Sequence, residues 1–449
     1  MLRSFPFRNG GGVLESQAER LERKIASREA RPAVVGLGYV GLPLLAELGR
    51  AGFRPIGIDL NRKKIQALQA GETYVLDVPA EAIAPLIADG RMQVTDDFDI
   101  LREADTIDIC VPTPLRKTRD PDVSYIVAAT EAIAMRMAPG KLVILESTTY
   151  PGTTEELVLP RLAATGLTVG EDFFLAFSPE RVDPGNAQYT TRTIPKVVGG
   201  VTAACTALAA SLYRTTLEQV VPVSSTRVAE MVKLLENTFR SVNIALVNEL
   251  ALMSDRMGID VWEVIEAAAT KPFGFMAFYP GPGLGGHCIP IDPFYLAWKA
   301  RKSGFEARMI ELAGQINSSM PEYVLNKVRR ALGAVGKAVR GAQVLLLGVA
   351  YKADIDDLRE SPALDILKLL VEEGAEVAYH DPFVAEFELE GVSWQSVPLS
   401  AERLTASDIV VITTNHRDVD YGLVVKSAPR IVDTRNALKG YADPKITLI

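Results

Sequence analysis

Only three cysteines occur in the chain, Cys110, Cys205 and Cys288, too few and odd in number for a disulfide framework. A reducing cytoplasm is the expected setting. No run reaches the roughly eighteen apolar residues that a membrane-spanning helix needs, so no membrane partner is expected. The first residues lack the apolar core of a secretion signal; residues 14–31 read instead as a charged amphipathic helix behind an Asn9-Gly10-Gly11-Gly12 stretch. Nor is there a basic excess. Against 48 Lys and Arg stand 56 Asp and Glu, a net charge of −8, which argues against a nucleic-acid partner. An anionic small ligand stays open, because a few local cations suffice to hold a phosphate. No low-complexity tract interrupts a composition that is 48% hydrophobic and 23% charged, as in globular proteins. The length, 449 residues, implies two or three domains.

What is present is alternation. From Pro32 short apolar strands at 33–37, 55–59, 106–111, 141–145 and 196–198 alternate with amphipathic helical patterns. This order predicts an α/β fold with a parallel sheet covered on both faces. Residues 224–258 differ, with a helical run that meets neither Gly nor Pro until Gly258. Strand–helix alternation resumes at 342–347 and continues through 376–379, 409–412 and 430–432. The expected organisation is an arm (1–30), a Rossmann-like doubly wound domain (31–222), a helical connector (223–325) and a second Rossmann-like domain (326–449) joined through the long central helix. The apolar faces of that helix exceed what one lobe covers, so a homodimer or higher homo-oligomer is expected.

Gly36-Leu37-Gly38-Tyr39-Val40-Gly41 ends an apolar strand and opens a helix. The first glycine permits a tight turn, the second lets a pyrophosphate approach the backbone, and the third allows close helix–strand packing. Asp59 ends the next strand, where its carboxylate suits ribose hydroxyls and repels a 2′-phosphate. NAD is therefore expected over NADP; a merely structural glycine turn is the alternative. Thr113 and Glu146 follow strand ends, where cofactors bind in open α/β sheets.

Residues 278–293, Phe-Tyr-Pro-Gly-Pro-Gly-Leu-Gly-Gly-His-Cys-Ile-Pro-Ile-Asp-Pro, hold four glycines and four prolines, which forbid a regular helix or central strand. The result is a rigid loop whose backbone can come close to a ligand. On loop chemistry alone Cys288 is either a nucleophile or an incidental thiol, while Cys110 and Cys205 read as small buried hydrophobes. His287 is given no catalytic role, and no metal is expected.

Taken with the glycine turn, this loop resembles the UDP-glucose/GDP-mannose dehydrogenase family, in motif order from about Pro32 to the C-terminus. The version from Pro280 to Asp292 most resembles the UDP-N-acetylglucosamine 6-dehydrogenase branch. The resemblance implies oxidation of the C6 alcohol of a UDP-sugar to a uronic acid, a precursor for surface polysaccharide. Four electrons leave as two hydrides to two NAD molecules, with the aldehyde held on Cys288 as a thiohemiacetal and then a thioester.

By the same resemblance Lys233 serves proton transfer or oxyanion stabilisation, and Asn237, one turn later on the same helix face, polarises the reacting oxygen. Asp292 acts as a water-binding or acid–base group, Glu180 activates the hydrolytic water, and Thr148 orders water near the nicotinamide. Glu180, Lys233, Asn237 and Gly285 also touch substrate. Lys352, in Gly348-Val-Ala-Tyr-Lys-Ala-Asp354, contacts the UDP-sugar, as does Arg435, and Arg359 reaches toward NAD. Only the first glycine of a dinucleotide turn survives at Gly348, so a second dinucleotide is not expected. Without the family context, Lys233, Glu180, Lys352, Arg359 and Arg435 could each be ordinary surface charges.

Two departures bear on substrate. UDP-glucose dehydrogenases carry a lysine before the loop aspartate, where this chain has Ile291. They also place an arginine upstream, where this chain has Phe275-Met276-Ala277-Phe278. Both suit an N-acetyl substituent; UDP-glucose and UDP-N-acetylmannosamine are the alternatives. Two other classes of reading remain, a nucleotide-binding regulatory module that lost the reaction and a single-hydride hydroxyacid dehydrogenase.

Overall fold

The computed structural model describes residues 15–75, 78–115, 120–182, 190–286 and 288–449, and the chain divides into two compact units, 1–233 and 234–449. The stretch 9–12 and His287 lie outside the described residues.

The first unit is built on β1 (Pro32–Val35), β2 (Ile56–Ile58), β3 (Gln93–Thr95), β4 (Thr106–Ile109), β5 (Leu142–Leu145), β6 (Phe174–Phe177), β7 (Lys196–Gly200) and β8 (Val220–Pro222). They pair in the order β3-β2-β1-β4-β5-β6-β7-β8, parallel throughout except at β6–β7. The chain winds outward from β1 to β3 and then restarts at β4 on the other side. The crevice beyond the C-terminal ends of β1 and β4 is therefore the topological switch point.

Side-chain alternation explains why these strands read as unbroken apolar runs. Val34, Leu142 and Ile144 join one core cluster with Leu42, Leu45 and Leu212. Their neighbours Ala33, Val35, Val143 and Leu145 join another with Ile126, Ile133 and Leu162. Both faces are buried, as a sheet covered by helices on each side requires. The helix Gln17–Ser27, within the expected arm, starts on a capping box between Ser16 and Glu19 and buries Leu21 and Ile25 in the first of these clusters.

The second unit repeats the scheme with β9 (Gln343–Leu347), β10 (Glu376–His380), β11 (Glu386–Leu389), β12 (Val392–Gln395), β13 (Ile409–Ile412), β14 (Ile431–Asp433) and β15 (Ile446–Leu448). Five form a parallel sheet in the order β10-β9-β13-β14-β15, and β11 and β12 form a separate antiparallel hairpin. Again Val344, Leu346 and Val411 face one cluster and Leu345, Leu347 and Val410 the other. The molecule is thus α/β, with two doubly wound sheets. The run without Gly or Pro is a single helix of 32 residues, Thr226–Met257, that ends at Gly258 with φ 68°. Among the described residues no helix is long and apolar enough to cross a membrane.

Candidate active site

In the first unit, the glycine turn leaves β1 as its three glycines demand. Gly36 has φ 96°, and a Cβ there would stand 2.5 Å from the Cys110 carbonyl oxygen. At Gly41 a Cβ would overlap the Gly36 carbonyl oxygen, whereas at Gly38 nothing among the described residues lies within 4 Å. The crowded positions are the first and third, and the open one is where a pyrophosphate must approach. The following helix, Gly41–Arg50, has neither an acidic residue in its first turn nor a side-chain cap, so its N-terminus stays suited to an anion. Asp59 is fixed at the end of β2: Oδ2 accepts from the Leu37 N–H at 2.9 Å, Oδ1 from Asn61 N–H at 2.8 Å, and Lys64 lies 3.3 Å away. Tyr39 is exposed, while Val40 and Thr113 are half-buried. This set fits a bound NAD.

Beyond β5 the side chain of Thr148 is accessible between buried Ser147 and Thr149. Its segment is fastened by Glu230 of the long helix, whose buried carboxylate accepts from Gly152 N–H at 2.5 Å and Thr154 N–H at 2.9 Å. Burial pushes the Glu230 carboxyl up to about 7 despite those donors. Glu180 follows β6 with 13% of its side chain exposed. Its Oε1 accepts from the N–H groups of Arg181 and Val182, both at 2.7 Å, and its Oε2 lies 3.1 Å from Lys196 Nζ. Burial alone would raise its pKa, but Lys196 and these amides outweigh burial and hold it below the usual carboxylate range. Lys233 is buried on the long helix, one turn before Asn237.

In the second unit, Asn237 Nδ2 donates to Asp292 Oδ2 at 2.5 Å, with both residues buried. Asp292 N–H donates to the carbonyl of Cys288 at 2.8 Å, in the turn that leads into the helix Asp292–Lys302. Cys288 is half-buried, four residues before the start of that helix. The loop is braced from beneath: Gly281 N–H donates to Asn248 Oδ1 at 3.0 Å, Asn248 to Asn317 at 2.9 Å, and Asn317 to the Ser241 carbonyl at 3.2 Å. Gly285 and Gly286 press on Tyr351, where a Cβ would come within 2.7 and 2.9 Å of the side chain. Gly281 lies against Arg435, whose Nε donates to the Thr413 carbonyl at 3.0 Å. Burial lowers the Arg435 pKa to about 10, which leaves it charged at neutral pH.

Lys352 is half-buried next to Tyr351. Arg359 folds back on Asp357, with Nη2 and Oδ2 2.5 Å apart. At the turn after β9, the N–H groups of Val349 and Ala350 are taken by Asp381 Oδ2 at 2.7 and 3.2 Å, and Asp381 also accepts from His416 Nε2 at 3.0 Å. Asp59 takes the Leu37 N–H after β1 in the same way.

Sequence reasoning missed Lys196, Tyr213, Asp108, the Asn248–Asn317 brace and the Asp381–His416 pair. One signal was available: Asp108 and Lys196 are charges inside otherwise apolar strands, which only a buried partner tolerates. Among the described residues no group of His, Cys, Asp and Glu could hold a metal ion.

Models of the UDP-glucose/GDP-mannose dehydrogenase family match along the chain: its NAD binding domain at residues 30–217, its central domain at 227–319 and its UDP binding domain at 345–440. A UDP-N-acetyl-D-glucosamine 6-dehydrogenase of Pseudomonas aeruginosa is 40% identical over 360 residues, 80% of this chain and 84% of that protein. A UDP-N-acetyl-D-mannosamine dehydrogenase of Pyrococcus horikoshii is 36% identical over 416 residues, 91% of this chain and 96% of that one. A solved UDP-D-ManNAc dehydrogenase from P. horikoshii superposes with a TM-score of 0.86 at 34% identity, covering 93% of this chain and 99% of that structure. The chain belongs to the UDP-glucose/GDP-mannose dehydrogenase family and is an NAD-dependent UDP-sugar dehydrogenase.

Proposed function

We propose that the chain oxidises the C6 primary alcohol of UDP-N-acetylglucosamine to the carboxylate, with Cys288 as covalent nucleophile. The observation that carries this reading is the Cys288–Asp292–Asn237 assembly, in which the backbone carbonyl of the loop cysteine accepts from the N–H of a buried acid whose carboxylate accepts from a buried amide, all within one unit.

NAD held by Asp59 and the Gly36–Gly41 turn would supply the hydride acceptor for each of the two oxidations. The alcohol proton leaves to a base as the first hydride departs, with Lys233 and Asn237 serving the reacting oxygen. Cys288 adds to the resulting aldehyde, so that no free aldehyde escapes, and the thiohemiacetal loses the second hydride and a proton to become a thioester. Water then attacks the thioester carbon, its proton passes to Glu180, and the carbon–sulfur bond breaks to return the Cys288 thiol and release the uronate. Lys352 and Arg435 supply positive charge for the diphosphate, with Gly285 alongside, and Asp59 and Gly36–Gly41 hold the cofactor.

The relatives act on both glucosamine and mannosamine derivatives, according to their names. Ile291 and the apolar residues 275–278 support an N-acetylated sugar over glucose. A panel of UDP-N-acetylglucosamine, UDP-N-acetylmannosamine, UDP-glucose and GDP-mannose tests the choice. The first is expected to turn over fastest; a clear preference for UDP-glucose overturns it. Exposed Met231, Leu235, Phe239 and Leu246 on the long helix support a homo-oligomer, which a mass in solution equal to one chain would refute.

A further inference from the structure

Behind Glu180 lies a buried chain of ionisable groups that the reaction above leaves without a task. Lys196 Nζ lies 2.8 Å from Glu146 Oε2 as well as 3.1 Å from Glu180 Oε2. The other oxygen of Glu146 lies 2.5 Å from Tyr213 Oη, and the same hydroxyl is 3.0 Å from Asp108 Oδ1. Four elements converge here: β4 brings Asp108, the end of β5 Glu146, the start of β7 Lys196, and the helix Ala203–Arg214 Tyr213. Cys110 faces the set from beyond β4, and Arg181, beside Glu180, is turned to the Pro195 carbonyl at 2.7 Å.

Hydrogen-bond counting fixes the protons. Tyr213 has one hydroxyl hydrogen but touches two carboxyl oxygens, so it can donate to only one of them. The other contact is a hydrogen bond only if that carboxyl itself carries a proton. Glu146 is also raised by burial, but it faces the Lys196 ammonium on its second oxygen, and that contact makes it the ionised partner of the two. Among the described residues Asp108 has no ion-pair partner, Lys196 acting on it only at longer range, and its Oδ2 is buried with no hydrogen-bond partner. The proton therefore sits on Asp108, which donates to Tyr213, which donates to Glu146. Burial and the neighbouring Glu146 also drive the Asp108 carboxyl well above its usual range.

We propose that Lys196 is a positioning residue for Glu180, held in place by the Glu146–Tyr213–Asp108 set with its one trapped proton. Lys196 reaches Glu180 on one oxygen while the backbone amides of Arg181 and Val182 occupy the other, which sets the carboxylate's plane and keeps it ionised. The ring of Tyr213 closes over Lys196, with Nζ 5.3 Å from its centroid. Glu180 has the larger exposed fraction, 13% against 7% for Lys196 and none for Glu146, so it is the outlet of the chain.

The inference rests on Glu180 being the base for thioester hydrolysis, and its test separates the two. Single-turnover release of uronate is followed against pH for the wild type, Lys196→Met, Lys196→Arg and Glu180→Gln, with NADH formation recorded alongside. Lys196→Met is expected to move the acidic limb of uronate release upward by about one pH unit, ~10-fold in rate on that limb, while Lys196→Arg restores it. An unmoved limb in Lys196→Met, with Glu180→Gln impaired, overturns the positioning role alone. Unimpaired hydrolysis in Glu180→Gln overturns the reading of Glu180 itself. If Lys196→Met does not fold, infrared difference spectroscopy of the wild type at pH 8 still decides: a protonated carboxyl band that vanishes in Asp108→Asn is expected, and its absence from the wild type refutes the trapped proton.

Discussion

A methyl group added at Gly41 would collide with the Gly36 carbonyl, whereas one added at Gly38 would meet nothing within 4 Å among the described residues. The two substitutions should therefore fail differently. Gly41→Ala is expected to destabilise the first unit by about 1–3 kcal/mol, since backbone must move. Gly38→Ala is expected to keep its melting temperature and lose at least about tenfold in NAD affinity, because only an approaching pyrophosphate meets the methyl. Calorimetry and NADH titration check both. This turn was legible in the sequence because its chemistry is local, three glycines and an acid at known spacing. The Lys196 set was not, because its members stand 16 to 105 residues apart and meet only when four elements assemble.

Asp381 shows how one carboxylate organises a strand end. Burial raises its pKa, but the hydrogen bonds from His416 and the Val349 amide outweigh this and hold it below the usual range. A depressed folded pKa contributes stability that is present above the unfolded value, about 3.9, and is lost as pH falls through the folded one. Asp381→Asn is thus expected to cost the second unit about 2 kcal/mol at neutral pH, with the deficit shrinking below about pH 4. Denaturant melts at pH 7 and pH 3.5 measure it. The Cys288 loop makes a complementary case: at Gly285 a Cβ would stand 2.8 Å from the Glu360 carbonyl oxygen and 2.7 Å from Tyr351 Cβ. Gly285→Ala should lower both turnover and the melting temperature, since neither neighbour is the far end of a flexible side chain. From the sequence the strands at 409–412 and 142–145 were visible because unbroken apolar runs mark buried parallel strands. β3, β6, β8, β11, β12 and β15 were not read as strands, and length alone is not the reason, since β2 and β14 also have three residues and β6 is wholly apolar. The long helix was legible from end to end because nothing in it breaks a helix.

For the molecule as a whole, two doubly wound sheets supply the two nucleotide sites that the family models describe, one for NAD and one for UDP. A net charge of −8 does not oppose this, since the phosphate ligands meet local cations and backbone amides rather than the average charge. The alternation of strands and helices made this organisation legible. Retention of the aldehyde on Cys288 between two oxidations is the central step of the proposed reaction. The most direct test is NADH stoichiometry with UDP-N-acetylglucosamine, measured with the wild type and with Cys288→Ser and paired with analysis of the product. Two NADH per sugar and a uronate from the wild type, with no uronate from Cys288→Ser, is the predicted result. One NADH per sugar from the wild type, or undiminished uronate from Cys288→Ser, would contradict it.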